Sequence, residues 1–296
     1  MSTSATHTPD DTLKMIGIPN NRYSHSMGEC FRTCPWQYCL RYLKDVKEQP
    51  NSSLVWGNIM HAGLDWAAQL QLAGNPRPSA KQIGDYMGDD CGPFQINKAE
   101  RQRPGSGIEW KGNDTKDVLI ADARRAIVPF EHSLGQYIEP VEAEKYFRLE
   151  LENYDFELSG KRDLFTVGGR LVDYKTGARA LHETAAMTSP QLKMYQLAKE
   201  AEGVTIVDRA LYGIIRLKGS TTIQPIVEPP ATPEEMGEFL DNIAETVRAL
   251  RAGVFPRADD WETCTGFCGL TQDCHPEWYA RKQAIVARKR TANGNN

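Results

Sequence analysis

Residues 141–174 leave helical periodicity for alternation, and that change constrains the fold more than any other feature of the chain. Residues 141–151 alternate loosely, 154–165 alternate better, and 169–174 form a third short run. A period of two puts every second side chain on one face, so three neighbouring strands are predicted. Outside this stretch the pattern is mostly helical. Residues 54–72 carry Ile59, Gly63, Trp66 and Leu70 at spacings of four, three and four, and further helices are expected near 115–137, 190–200, 232–252 and 276–290. Ser26 with Glu29, and Thr232 with Glu235, have capping-box spacing; Pro35 suits a first helical turn and Gly253 a stop. Residues 207–217 read as an apolar strand that can pair with 221–227 across Lys218-Gly219-Ser220. Helices, a small sheet with helices, then a helical cap make an α/β or α+β plan.

The 296 residues are 40% hydrophobic and 25% charged, enough apolar material for a packed core. Residues 1–22 read as a flexible polar arm, 23–290 as one domain and 291–296 as a polar tail. Residues 74–114, rich in Gly, Pro, Asp and Asn with one weak helix near 80–87, read as a variable insertion. No apolar run approaches the ~20 residues of a membrane span, and the opening residues lack the apolar stretch of a secretory signal. A cytoplasmic protein with no membrane partner is expected. The net charge of −4 argues against a broadly basic nucleic-acid coat and leaves room for a local basic groove. Arg281, Lys282, Arg288, Lys289 and Arg290 read as a solvated helix face or as a track for a nucleic-acid backbone. No G-x-x-x-x-G-K-[ST] string is present, so no nucleotide motor is expected.

The densest chemistry sits in the alternating region. Gly160-Lys161-Arg162-Asp163-Leu164 is followed, ten residues after Asp163, by Asp173-Tyr174-Lys175-Thr176-Gly177. A three-residue loop, Val167-Gly168-Gly169, offers glycine where φ > 0 is needed. That hairpin sets Asp163 opposite Asp173, side chains roughly 5 Å apart. Asp173 and Lys175 lie two apart and share a face. Facing carboxylates repel, so a cation is expected between them: Lys175 in part, or a hard divalent ion such as Mg²⁺, which favours one or two carboxylates plus substrate phosphate.

In this order the motifs resemble the PD-(D/E)XK nuclease superfamily, and its RecB-like exonuclease branch in particular. Gly57-Asn58-Ile59-Met60-His61 resembles the branch's G-x-x-x-H helix. Glu144-Lys145-Tyr146-Phe147 resembles its acidic strand entry, with Glu142 and Glu150 as close competitors. Gln191-Leu192-Lys193-Met194-Tyr195 resembles its Q-x-x-x-Y helix. The resemblance spans about residues 24–274 and leaves 74–114 unaccounted for. It implies a restriction-endonuclease-like α/β core and a metal-dependent DNA exonuclease of phage or bacterial recombination or repair. It assigns Asp163 and Asp173 to Mg²⁺ or Mn²⁺, His61 as a nitrogen ligand that suits Mn²⁺, and the Tyr174 carbonyl as a further ligand. Glu144 joins the catalytic set, and Lys175 positions attacking water or stabilises charge at phosphorus. Gln191, Tyr195 and Tyr174 are implied to contact substrate. DNA ends or single strands are the implied partners, with a recombination or single-strand-annealing protein as another. A sequence- or structure-specific endonuclease and an inactive DNA-binding scaffold are the alternatives on the same core.

Seven cysteines complete the inventory: Cys30, Cys34 and Cys39 near the start, Cys264, Cys268 and Cys274 near the end, and Cys91 apart as an ordinary thiol. In a cytosolic chain, clustered cysteines read as metal or cluster ligands before disulfides. Cys34, followed by proline, with the C-terminal triplet is similar to the [4Fe–4S] staple of AddB-type and CRISPR-associated RecB-like exonucleases. That resemblance implies a structural cluster joining N- and C-terminal helices. The family usually leaves two residues between the first two C-terminal cysteines, whereas three intervene here. A Zn²⁺ site using Cys264, Cys268, Cys274 and either Cys34 or His275 therefore stays open, as do Cys30 and Cys39 in place of Cys34.

Overall fold

The computed structural model describes residues 17–266 and 268–294, with side chains through residue 288. The expected arm at 1–22 lies largely outside these residues, as do the end of the expected tail and the side chains of Lys289 and Arg290. Among the described residues there are six strands: β1 (Arg22–Tyr23), β2 (Pro140–Glu150), β3 (Glu157–Thr166), β4 (Arg170–Gly177), β5 (Asp208–Leu217) and β6 (Ser220–Glu228). The chain divides into two compact units. One comprises Met1–Val46, Tyr146–Gly160 and Ala231–Cys268; the other comprises Lys47–Lys145, Lys161–Pro230 and Gly269–Asn296.

The larger unit is built on a mixed sheet. β3 and β4 form the expected antiparallel hairpin, with Leu164 opposite Val172 and Phe165 opposite Leu171. The Gly169 N–H closes the turn on Thr166 O at 2.9 Å, and Gly169 takes φ +77, a left-handed value that glycine adopts without a Cβ penalty. β4 runs parallel to β5, placing Asp173 beside Leu211 and Lys175 beside Gly213, and β5 turns back antiparallel into β6. β2 also pairs with β3. The core of this unit joins Val55, Ile59, Met60 and Leu64 of the helix Ser52–Leu72 to Leu119, Ile127 and Phe130 of the helix Lys116–Ser133, and to Leu164, Val172 and Ile214 of the sheet.

Two readings of this unit change. Residues 74–114 hold the helices Ala80–Tyr86 and Gly92–Gln102, joined by a π-helical turn over Met87–Cys91, where one weak helix was expected. Ile83, Met87, Cys91, Ile96, Ala99 and Ile108 all enter the core, so the polar composition hides an apolar face. The π turn shifts the helical phase, which breaks the 3.6-residue pattern. The last helix runs Pro276–Gly294, extending into the expected tail, and Lys282 of the basic stretch pairs with Glu109 at 2.7 Å.

In the smaller unit β1 lies parallel to the start of β3, Arg22 beside Glu157 and Tyr23 beside Leu158. The helix His25–Thr33 is capped by Ser24, whose Oγ accepts from Met27 N, two residues before the Ser26 box expected from spacing. The Thr232–Glu235 box opens the helix Pro233–Arg251 as expected, and Gly253 follows at φ +70. Phe31, Tyr38 and Phe255 pack with ring centroids 5.9–6.3 Å apart. Cys34 caps the helix Pro35–Tyr38, its Sγ accepting from Gln37 N at 3.4 Å and from Ala258 N at 3.4 Å. The Cys264 thiol donates to Ala258 O at 3.7 Å, so both sulfurs bracket one residue.

Candidate active site

Two helices bring side chains to β4 from opposite faces of the sheet. Consecutive strand residues point to opposite sides, and Tyr174 meets His61 and Phe130 while Lys175 meets Gln191. The helix Ser52–Leu72 lies close to the strand because residue 57 has no side chain: a Cβ there would stand 2.6 Å from Thr176 Oγ1. One turn further on, the same helix presents His61, whose Nδ1 is 3.6 Å from Asp163 Oδ2. Burial pushes the imidazole below its ordinary range, so this contact is not an ion pair at neutral pH and a ring nitrogen keeps its lone pair.

The hairpin delivers its two carboxylates where the β3–β4 pairing ends. The paired residues stop at Leu164 and Val172, one short of the two acids, and there Asp163 Oδ2 accepts from Tyr174 N at 2.9 Å. Both acids are buried, at 8% and 1% exposure. Burial, with the Asp173 charge beside it, drives the Asp163 carboxyl up to about 8. Asp173 Oδ2 lies 2.7 Å from Lys175 Nζ, outside hydrogen-bond angles, so this buried oxygen faces a cation without a directional bond.

Glu144 completes the cluster from β2. Among the described residues, one group of His, Cys, Asp or Glu donors brings its atoms within 4.8 Å of one another: His61, Glu144 and Asp163. Glu144 also pairs with Lys161, a residue that sequence reasoning left without a role. Its backbone sits at φ +51 within a strand, a left-handed conformation that costs a non-glycine residue roughly 1–3 kcal/mol. The competitor Glu142 turns instead to Arg162 and Lys199, at 3.0 and 3.1 Å.

Gln191 and Tyr195 lie on one face of the helix Pro190–Ala201, but they serve protein groups. Lys175 Nζ donates to Gln191 Oε1 at 2.7 Å, Gln191 Nε2 donates to Tyr195 OH at 2.6 Å, and Tyr195 OH donates to Lys161 O at 2.6 Å. Tyr195 is only 2% exposed, burial raises its hydroxyl pKa, and through Gln191 the pair holds Lys175 in place. The Tyr174 ring packs against Phe130 and Tyr212 in the core, and its backbone N–H donates to Asp163.

A cluster of one imidazole nitrogen and carboxylate oxygens, with a buried carboxylate oxygen lacking a hydrogen bond, matches the donor set of a hard divalent ion. The model of the PD-(D/E)XK nuclease superfamily matches residues 22–275 of the chain. The chain belongs to that superfamily. Its members are phosphodiester hydrolases that act on DNA with divalent metals. A crystal structure from Eubacterium rectale, of a protein provisionally named an exonuclease, aligns with TM-score 0.51 and 14% identity over 86% of this chain and 91% of that one. The similarity extends to the fold, a mixed sheet flanked by helices in the restriction-endonuclease-like manner. The structure of SSO0001 aligns at TM-score 0.30 and 13% identity over 53% of this chain and 74% of that one. Among curated proteins, none matches. No described helix is long and apolar enough to cross a membrane.

Proposed function

We propose that this superfamily member is a Mg²⁺- or Mn²⁺-dependent DNA exonuclease. The observation that carries the reading is the convergence of His61, Glu144 and Asp163 beside the Asp173–Lys175 pair. His61, Glu144, Asp163 and Asp173 would hold the ion, which when bound polarises the phosphate and acidifies water. Neutral His61 favours Mn²⁺, and the carboxylates accept either ion. Lys175 is held by Asp173 and Gln191, so its ammonium is oriented before substrate arrives and can stabilise charge at the phosphorus. Tyr174 N–H fixes one Asp163 oxygen, leaving the other for the ion.

The exonuclease assignment draws on the RecB-like order of motifs and agrees with the provisional name of the Eubacterium rectale protein. DNA ends or single strands are the substrate in this reading, recombination or repair the setting and the cytoplasm the location. The cysteine set Cys34, Cys264, Cys268 and Cys274 keeps the [4Fe–4S] reading that the resemblance implies, and the shared hold of Cys34 and Cys264 on Ala258 supports the first two members. End-labelled linear, circular and single-stranded DNA incubated with Mg²⁺ or Mn²⁺ tests the activity. Digestion of linear DNA with circular DNA spared is expected. Nicking of circles would favour the endonuclease alternative, and no cleavage of any form would favour the scaffold.

A further inference from the structure

Glu142 and Glu144 are two residues apart on β2, and on a regular strand both side chains would leave from one face. Here they part. Glu142 reaches Lys199 of the helix Pro190–Ala201, at 3.1 Å. Glu144 reaches toward His61 of the helix Ser52–Leu72. Those helices occupy opposite faces of the sheet, so the change of side happens between the two glutamates. Glu144 itself makes it: it is the one non-glycine residue at positive φ within a strand among the described residues.

A left-handed glutamate persists only where its surroundings over-determine it, and here contacts hold the strand just before it. Glu142 is gripped by Arg162 at 3.0 Å and Lys199 at 3.1 Å, and Glu202 closes the set by meeting the same two cations, each at 2.8 Å. Arg162 and Lys199 have side chains only 1% and 3% exposed, so the grip is sheltered from solvent. At the next residue, Gln69 Nε2 donates to Ala143 O at 3.4 Å while bonding Asp65 Oδ1 at 3.0 Å. The peptide that enters Glu144 is therefore tied to the helix that carries His61, and the residue before it is tied to the other helix.

We propose that Gln69 and the Glu142–Arg162–Lys199–Glu202 clamp are positioning residues that hold Glu144 in its left-handed conformation and so aim its carboxylate at the metal site. The proposal rests on the reading of Glu144 as a ligand. Without the clamp, β2 relaxes toward regular alternation, and Glu144 turns away from His61 and Asp163. Groups that orient a metal ligand are worth about 10–100-fold in metal affinity.

Calorimetric Mn²⁺ titration of the full chain, paired with thermal unfolding, separates positioning from plain stabilisation. The variants are Gln69→Leu, Glu142→Gln and Glu144→Gln. Gln69 is exposed, so Gln69→Leu is expected to keep its melting temperature while Mn²⁺ affinity falls about tenfold or more. Glu142→Gln should lose affinity beyond what its melting temperature accounts for. Wild-type affinity in folded Gln69→Leu and Glu142→Gln, with affinity lost in Glu144→Gln, would overturn the positioning role and leave the site reading intact. Unchanged affinity in Glu144→Gln would overturn the site reading and the inference together.

Discussion

In the proposed reaction Lys175 is the residue on which the chemistry would turn, and its ammonium contacts both Asp173 and Gln191. Lys175→Ala should abolish cleavage of end-labelled DNA, and leaving Asp173 buried without its cation should cost about 1–3 kcal/mol of stability. Asp173→Ala should also abolish cleavage, while stability holds or rises because the repulsion on Asp163 is relieved. Wild-type rates in either variant would refute the assignment. Asp163 makes a pH prediction of definite sign. Its folded pKa, about 8, lies above the unfolded carboxylate value of ~3.9, so the fold favours the protonated form. Its stabilising contribution is full below pH ~4 and is lost as pH rises toward 8 in metal-free protein. Glu142 and Glu202 act in the opposite sense. Burial alone would raise both, but bonds from Lys199 and Arg162, with Lys145 for Glu142, outweigh it and depress them, so their contribution is lost as pH falls. The difference between wild type and Asp163→Asn in urea unfolding across pH 4–9 isolates Asp163. The substitution should stabilise metal-free protein increasingly toward pH 8, and a flat difference would contradict the burial argument.

At the scale of elements, the site depends on how closely a helix can approach a strand. Gly57→Ala would place a methyl group 2.6 Å from Thr176 Oγ1 and push His61 off the hairpin. A loss of about 1–3 kcal/mol is expected, with weaker Mn²⁺ binding measured by titration. Gln191→Ala should act differently: freeing Lys175 lowers kcat, while the Mn²⁺ dissociation constant stays at its wild-type value. A loss of metal affinity there would show that the Pro190–Ala201 helix serves the ligands. These elements also show what the sequence discloses. The ten-residue interval from Asp163 to Asp173, the glycines at the turn and the Gly57–His61 spacing are local patterns, and local patterns translate into strands, turns and helix faces. Glu144 could be named ahead of Glu142 and Glu150 only through the resemblance, because its place beside His61 and Asp163 depends on one left-handed backbone angle and on partners scattered through the chain. Lys161, Gln69 and Lys199 carry no motif for the same reason. Gln191 and Tyr195 are legible as a pair on one helix face, whereas their bonds to Lys175 and to the Lys161 carbonyl join residues from distant parts of the chain.

Across the whole molecule, the cysteines carry the remaining expectation. If Cys34, Cys264, Cys268 and Cys274 hold a [4Fe–4S] cluster, anaerobically purified protein should be brown and contain about four irons per chain, and Cys268→Ala should bleach it. About one zinc per colourless chain would overturn the cluster in favour of the tetrahedral site. The helices of residues 80–102, within the stretch read from composition as a variable insertion, bear on how small this nuclease can become. Ile83, Met87 and Cys91 share a core with Ile59 and Met60, the neighbours of His61. Excising that segment to reach a minimal catalytic module would strip the support from the histidine helix. The shortest working version of this enzyme must therefore keep the stretch that its sequence advertises least.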